Sequence, residues 1–270
     1  MSRGNARMGN GIDLSYLEKQ FYISLLGYEE PVFEMPAEAL FDKEQTLAAM
    51  DAGGSIVRAT GHELGVSFTG LALHNLVAAA CILYAYERQW LDLTLGNLTF
   101  QLETHGDHAH LAFKVNAFKW TDIPETGGED FFRQSLVRLI REQITPAVRA
   151  VAENCGLKGE LIWGQYGARF TYYRKHIAEK EQNAEIRERF EAAARILTEI
   201  EPEAFSRRRN PFIHTPRYID SPYQPGGTMM LRSSCCMWYC REDGVKCYNC
   251  PKLTSAERDE MRESIMAKAQ

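Results

Sequence analysis

The sequence predicts an α+β fold: a mainly helical domain with a small antiparallel sheet, followed by a short cysteine-rich module at the C-terminus. Three observations predict it. Apolar residues recur at helical spacing through most of the chain, alternate along one central segment, and give way to five cysteines between residues 235 and 250. The 270 residues allow one large domain or two unequal ones. We expect a scaffold domain over residues 1–228 and a module over residues 229–270.

Composition excludes several classes of protein. A charged fraction of 25% with 11% aromatic residues is typical of a globular chain, and the net charge of −5 provides no overall positive field for nucleic acid. The most apolar stretch, residues 76–86, is shorter than the roughly 20 residues that a bilayer span requires. Residues 1–11 carry two arginines and lead into charged residues instead of an apolar segment, so we expect no secretory signal and a cytoplasmic protein.

The first half of the chain reads as three helices and a hairpin. Residues 13–26 are amphipathic and are predicted to stop at Gly27, and residues 38–50 repeat the pattern. Residues 69–89 are apolar on most sides, which indicates a central helix covered all round. Alternating apolar residues then predict strands over 91–102 and 111–117, which turn at residues 105–108.

The second half returns to helical spacing. We expect a helix over residues 129–154 with a kink at Pro146, and further helices over 160–180 and 184–200. Five prolines between residues 201 and 227 indicate a long connecting loop. After the cysteines, Thr254 and Glu257 form a capping-box pattern that starts a last helix to about residue 268.

The cysteine loop, residues 235–250, carries the strongest functional signal. Its pattern is Cys235-Cys236-x10-Cys247-x2-Cys250, with Cys240 inside the spacer. The Cys247-x2-Cys250 half is a chelating turn, whereas neighbouring cysteines are unusual as a zinc half-site because their side chains diverge. The spacing therefore leaves three interpretations open. They are a binuclear cluster, a zinc site formed by Cys236, Cys240, Cys247 and Cys250, and a redox dithiol.

This C-C-x10-C-x2-C pattern near the C-terminus resembles the FhuF family of ferric siderophore reductases, whose C-terminal motif holds a [2Fe-2S] cluster. Arg232 and two serines before the cysteine pair, Pro251 after the last cysteine, and the Leu-Ile-Trp-Gly sequence at residues 161–164 agree with that resemblance. The resemblance implies that the cluster ligands are Cys235, Cys236, Cys247 and Cys250. Cys240 departs from the family pattern and has no implied role.

The resemblance also implies an activity. It indicates a siderophore-iron reductase of iron uptake that releases iron by one-electron reduction of a hydroxamate-like Fe(III)-siderophore, with no catalytic residue beyond the cluster. The alternative is a zinc-stabilised module that binds a siderophore or a protein without redox activity. Arg217 and Arg232 are the candidate substrate-binding residues. Arg232 flanks the cysteines, Arg217 belongs to a basic patch with Arg207, Arg208 and Arg209, and either could attract an anionic complex.

The remaining motifs narrow the list of partners. No GxGxxG or P-loop pattern is present, so we expect no built-in flavin or NAD(P) site. Electrons must then come from a separate donor, either a flavin reductase or a ferredoxin-like protein. A siderophore reductase could also contact a membrane transporter peripherally at the inner face of the membrane. His105, His108 and His110, with Asp107 between them, lie at the predicted hairpin turn and are not expected to bind a metal.

Overall fold

The computed structural model describes residues 14–106 and 108–268. Within these ranges the chain forms eight α-helices, a four-stranded sheet and two two-stranded sheets, and it ends in the cysteine-rich module. The predicted α+β class is therefore confirmed. The expectation of no N-terminal signal in residues 1–11, the predicted helix start at residue 13, and Asp107 lie outside the described residues.

The first helix, Leu14–Phe21, is shorter than predicted. Tyr22 has a left-handed backbone conformation with φ of 56°, which ends the helix. Ile23–Ser24 then pairs in parallel with the strand at Phe113. The predicted stop at Gly27 is wrong, because a tertiary strand pairing takes over the chain before the helical pattern ends.

The second predicted helix consists of two elements. A 3-10 helix, Ala37–Phe41, precedes Asp42, whose carboxylate caps the α-helix Lys43–Val57 by accepting a backbone hydrogen bond. This helix continues through Gly53 and Gly54, so the predicted end before these glycines is wrong.

The central helix, Glu63–Glu87, begins six residues earlier than predicted and is buried on nearly all sides. Its length and apolar composition would suffice for a membrane span, but 89% of its most apolar window is buried inside the protein. The core helix of a soluble protein has the same features. The continuous apolar run therefore forms the centre of the core, as the sequence predicts.

The predicted hairpin is present and turns at the expected place. Its strands, Leu98–His105 and His108–Val115, pair so that the last residue of one faces the first residue of the other. The first strand starts later than predicted, because Gln89–Leu91 pairs with Trp120–Asp122 in a separate sheet. Two edge strands complete the main sheet. Phe33–Pro36 pairs antiparallel with Leu98–His105, and Ile23–Ser24 pairs parallel with His108–Val115.

The predicted kink at Pro146 takes the form of a π-helical turn, Ile140–Ile144, immediately before the proline. Because proline has no N–H to donate, the regular ladder cannot continue through this point. The helices on either side of the turn and the two that follow it are Gly128–Leu139, Thr145–Asn154, Glu160–Lys180 and Ala184–Glu199. The predicted bounds of the last two are confirmed to within one residue.

The connecting segment, residues 201–227, is largely irregular but well anchored. It contains a 3-10 helix, Pro202–Phe205, and the strand Tyr218–Asp220, which pairs with Thr228–Met230. Asn210 is buried, and its amide donates hydrogen bonds to two carbonyls at the end of the preceding helix at 2.8 and 3.0 Å. These contacts fix the segment that leads into the cysteine loop.

The C-terminal helix, Ser255–Lys268, begins with the predicted capping box. The Glu257 N–H donates to Thr254 Oγ1 at 3.2 Å, and the Thr254 N–H donates to Glu257 Oε2 at 2.7 Å. Cys235, Cys250 and Leu253 form a small apolar cluster beneath this helix, separate from the main core. The module thus has a packing centre of its own.

His74 of the central helix makes the fold sensitive to acid. It is fully buried with its ring packed against Tyr166 and Phe212, and burial, with a smaller effect of Arg169, lowers its pKa from 6.5 to about 3. The unfolded chain therefore binds a proton near pH 6.5 that the folded chain does not, so stability is fully present above that pH and falls as the pH decreases toward 3.

When the pH falls from 7.5 to 5.5, protonation of His74 in the unfolded chain should lower the free energy of unfolding by about 1.4 kcal/mol. Urea unfolding of wild-type protein and His74→Gln across this range measures the difference. His74→Gln should have a lower free energy of unfolding at pH 7.5 than the wild type, and that free energy should fall less between pH 7.5 and pH 5.5. Equal slopes in the two proteins would contradict a neutral, buried His74.

Candidate metal centre

The four cysteines that the resemblance assigns as ligands meet in two pairs. The Cys235 and Cys250 sulfurs lie 3.4 Å apart, and the side chain of Cys247 lies against that of Cys236. Each pair thus contains one of the two adjacent cysteines, 235 or 236, and one cysteine of the chelating turn. The turn is closed by the Cys250 N–H, which donates to the Cys247 carbonyl at 2.9 Å. Because the side chains of Cys235 and Cys236 diverge, each of the two contributes its sulfur to a different pair.

The pairs are shielded from solvent. Cys235, Cys236 and Cys250 are each no more than 6% exposed, and Cys247 is half-buried. Burial raises the pKa of the Cys235 thiol to about 11 and also raises the pKa of Cys247. A metal that binds these sulfurs must therefore displace their protons.

Cys240 lies in the same loop but outside the two pairs. It is partly exposed, and its carbonyl accepts a hydrogen bond from the Thr60 N–H at 3.2 Å. Within residues 14–106 and 108–268, no three His, Cys, Asp or Glu side chains converge as ligands of a single metal ion. This finding applies equally to the set that the resemblance implies and to the alternative zinc set, Cys236, Cys240, Cys247 and Cys250.

Two helices hydrogen-bond the backbone of the cysteine loop. On the central helix, buried Ser67 donates its hydroxyl to the Cys236 carbonyl at 2.8 Å, and Gln165 of the helix Glu160–Lys180 donates to Ser67 at 3.0 Å. On the C-terminal helix, the Arg258 guanidinium donates to the carbonyls of Tyr248 and Cys250 at 3.2 and 2.9 Å. The positions of the sulfurs are thus set by backbone contacts to both parts of the protein.

The Leu-Ile-Trp-Gly element at residues 161–164 contacts the chain directly before the cysteine pair. Trp163 is buried, and Gly164 faces Ser234 so closely that a Cβ on the glycine would lie 2.9 Å from the serine Cβ. Ser233 donates its hydroxyl to the Gly164 carbonyl at 2.6 Å. Glycine fits here because a Cβ would meet the Ser234 side chain at a distance that real Cβ atoms do not adopt.

Arg232 is a basic residue whose guanidinium contacts a cysteine sulfur. Its Nη1 lies 2.7 Å from Cys236 Sγ, and its backbone N–H donates to the Asn249 carbonyl at 3.1 Å. Arg217, the other candidate from the sequence, is exposed, and its carbonyl accepts a hydrogen bond from the Leu231 N–H at 2.8 Å. The fold therefore places Arg232 against the sulfurs and leaves the Arg217 side chain in solvent.

A cavity of about 470 Å³ opens beside the sulfurs, and Cys236 and Cys247 both contribute to its wall. Trp238 of the cysteine loop stacks on His108 of the hairpin, with ring centroids 5.6 Å apart. The hairpin and the loop thereby form one wall. The other residues that line the cavity are Tyr22, Phe68, Leu71, Ala72, Asn75, Ala109, His110, Leu111, Arg169 and Arg232.

Most of these lining residues carry no sequence signal that marks them as part of a site. The histidines of the hairpin turn resemble at most a metal-binding cluster, and Arg169 lies in a helix with no distinguishing pattern around it. Their approach to the cysteines depends on how the hairpin, the central helix and the loop pack together. No local signal in the sequence contains that information.

Residues 232–252 match the family model of the FhuF 2Fe-2S C-terminal domain. This match confirms the resemblance to FhuF-type proteins that the cysteine spacing indicates, and it supports an iron–sulfur site and a link to siderophore iron. No curated protein and no solved structure matches the chain.

Proposed function

We propose that this protein is a ferric siderophore reductase whose cysteines 235, 236, 247 and 250 hold a [2Fe-2S] cluster. One observation carries the proposal: Cys236 and Cys247 lie in the wall of a cavity of about 470 Å³. That volume is in the range of small-molecule binding sites. A ligand in the cavity would lie directly beside two of the four sulfurs.

The arrangement of the sulfurs fits a binuclear cluster. In such a cluster each iron takes two protein thiolates, and the cysteines here meet two by two, with 3.4 Å between Cys235 Sγ and Cys250 Sγ. The low exposure of the cysteines limits the access of water, and Arg232 offsets negative charge on sulfur. These contacts come from the chain itself and are in place around the sulfurs.

The chemistry requires little else from the protein. Hydroxamate-like siderophores hold Fe(III) tightly through hard oxygen donors and hold Fe(II) far less well, so one electron is enough to release the metal. The cluster would supply that electron. The chain's part is to bind the complex next to Cys236 and Cys247 and to keep water from the sulfurs. Trp238, packed between Phe68 and His108, forms the wall on the side of the hairpin.

We propose a separate protein as the source of electrons, either a flavin reductase or a ferredoxin-like donor, in a cytoplasmic reaction near a siderophore transporter at the inner face of the membrane. A wide groove of about 990 Å³ supports this arrangement. It lies between the cysteine loop and the C-terminal helix and includes Cys247, which also lines the smaller cavity. A donor in the groove and a substrate in the cavity would approach the same cysteine from different sides. Nucleic acid has no part in the proposal.

Arg232→Gln should lower the reduction potential of the cluster by about 60 mV, equivalent to a tenfold change for one electron. The guanidinium beside Cys236 Sγ favours the more negative, reduced form, and the variant loses both its charge and its hydrogen bond. Redox titration followed by visible absorption measures the shift. Arg217→Gln, at an exposed position, is the matched control and should leave the potential unchanged. An unchanged or higher potential in Arg232→Gln would contradict this role.

A single-turnover experiment tests the proposed function. Protein reduced with dithionite and freed of excess reductant is mixed anaerobically with an Fe(III)-siderophore, and the released Fe(II) is trapped with a chromogenic chelator. We expect one Fe(II) per cluster and recovery of the oxidised spectrum. If the protein stays reduced in the presence of the complex, the reductase proposal is wrong.

A further inference from the structure

A second cavity adjoins the one that contains the cysteines. The first, about 470 Å³, includes Cys236 and Cys247, and the second, about 380 Å³, lies next to it. Both are lined by Tyr22, Leu71, Arg169 and Arg232. The two arginines therefore lie where the cavities meet. A ligand larger than either cavity can extend across this junction.

Apart from the cysteine sulfurs, the charged side chains that line the two cavities are basic. They are Lys19, Arg169 and Arg232, and no aspartate or glutamate of the described ranges lines either cavity. This contrasts with the chain as a whole, in which acidic residues outnumber basic ones by 36 to 31. A cleft lined by one sign of charge with apolar walls concentrates ligands of the opposite sign.

At this junction, the positive charge of Arg169 has no ion-pair partner in the described ranges and can interact with a ligand. Its Nε is buried and has no hydrogen-bond partner in the part of the chain that the structure describes, and none of the ion pairs found there includes it. Its guanidinium lies 5.4 Å from the centre of the Tyr173 ring and also hydrogen-bonds the Tyr173 side chain, and these two contacts hold it in place. Arg232, by contrast, is directed to Cys236 Sγ at 2.7 Å.

Another residue that lines both cavities is held in an unfavourable backbone conformation. Tyr22 lines both cavities with φ of 56°, a region that non-glycine residues rarely occupy. Such conformations cost free energy, and they cluster at ligand-binding sites. Tyr22 thus adds a phenol side chain to the lining that the two cavities share with Arg169 and Arg232.

We infer that the ligand of this junction is an Fe(III) complex with net negative charge, and that Arg169 is a substrate-binding residue. A hexadentate tris-catecholate complex, or a hydroxamate complex with additional carboxylates, has the required charge. A neutral tris-hydroxamate complex gains nothing from Arg169. The inference rests on the proposed function in taking the ligand to be a ferric complex, while its charge follows from the cavity walls.

Binding of redox-inert gallium complexes to the cluster-loaded, full-length protein tests the inference without requiring reduction. The two probes are a hexadentate Ga(III) tris-catecholate of charge −3 and a neutral Ga(III) tris-hydroxamate, measured by calorimetry at low ionic strength. We expect the anionic complex to bind at least about tenfold more tightly than the neutral one. Arg169→Gln should weaken the anionic complex about tenfold and leave the neutral one unchanged. Arg149→Gln, at an exposed helical position, is the control and should change neither affinity.

Three results would overturn the inference: equal affinity for the two probes, an unchanged affinity for the anion in Arg169→Gln, or no binding of either complex. The single-turnover assay separates this inference from the proposed function. If the anionic gallium complex binds through Arg169 but its Fe(III) counterpart is not reduced, the charge preference stands and the reductase proposal fails. If a neutral ferric complex is reduced while the anion does not bind, the reductase proposal stands and this inference fails.

Discussion

Cys247→Ser protein should purify with at least about tenfold less iron than the wild type, and the same result is expected for Cys235→Ser, Cys236→Ser and Cys250→Ser. Each cysteine is one half of a pair, so each substitution leaves one iron with a single protein thiolate. A serine hydroxyl does not replace that thiolate as a soft ligand. Iron and acid-labile sulfide per chain, together with the visible spectrum, measure the loss.

Cys240→Ser is the matched control, since it removes a thiol of the same loop. Cys240 lies outside the two pairs, and its contact to the scaffold is made by its backbone carbonyl, which serine retains. The variant should keep the iron content and spectrum of the wild type. If Cys240→Ser loses the iron while Cys235→Ser keeps it, the ligand set is wrong, and the set Cys236, Cys240, Cys247 and Cys250 takes its place.

Gly164→Val should lose most of its cluster while the helical core stays folded. A Cβ at residue 164 would lie 2.9 Å from the Ser234 Cβ and 3.1 Å from the Ser234 Oγ, and valine adds two methyl groups to this contact. Overpacking of this kind costs about 1–3 kcal/mol. The chain can relieve it by moving the Ser233–Ser234 segment away, which separates the cysteine pairs. Gly164→Ala should show the same effect in weaker form.

Gly159→Ala is the control for a substituted glycine at the start of the same helix. A Cβ there meets only ordinary contacts, with the nearest atom at 3.6 Å in Trp163. Iron per chain measures cluster loading, and far-ultraviolet circular dichroism measures the helical core. Full iron content in Gly164→Val would show that this close approach does not position the cysteines.

Local signals in the sequence were sufficient for the elements whose ends are set by neighbouring residues. The capping box of Thr254 and Glu257 starts the last helix where the pattern indicates, and the helix that ends at Lys180 follows its own periodicity. The first helix ends early because Ile23–Ser24 pairs with a distant strand. The helix after Asp42 passes through Gly53 and Gly54 because it packs against the central helix and the sheet, which outweighs the low helix propensity of glycine.

The same distinction holds for the site. The resemblance carried by the cysteine spacing named four cysteines that the fold brings together, because a motif within one loop contains most of its own geometry. Arg169 could not be predicted in this way, since it reaches the cavity from a helix distant in sequence. Arg217 and Arg232 looked equivalent from the sequence. The local path of the chain turns only Arg232 toward the sulfurs.

The most direct test of a [2Fe-2S] centre is metal and sulfide analysis of anaerobically purified protein, with electron paramagnetic resonance before and after addition of dithionite. We predict two irons and two acid-labile sulfides per chain, and an S = 1/2 signal that appears only on reduction. One zinc per chain and no labile sulfide, in protein from iron-replete cells, would contradict the account and make the cysteine loop a structural zinc site.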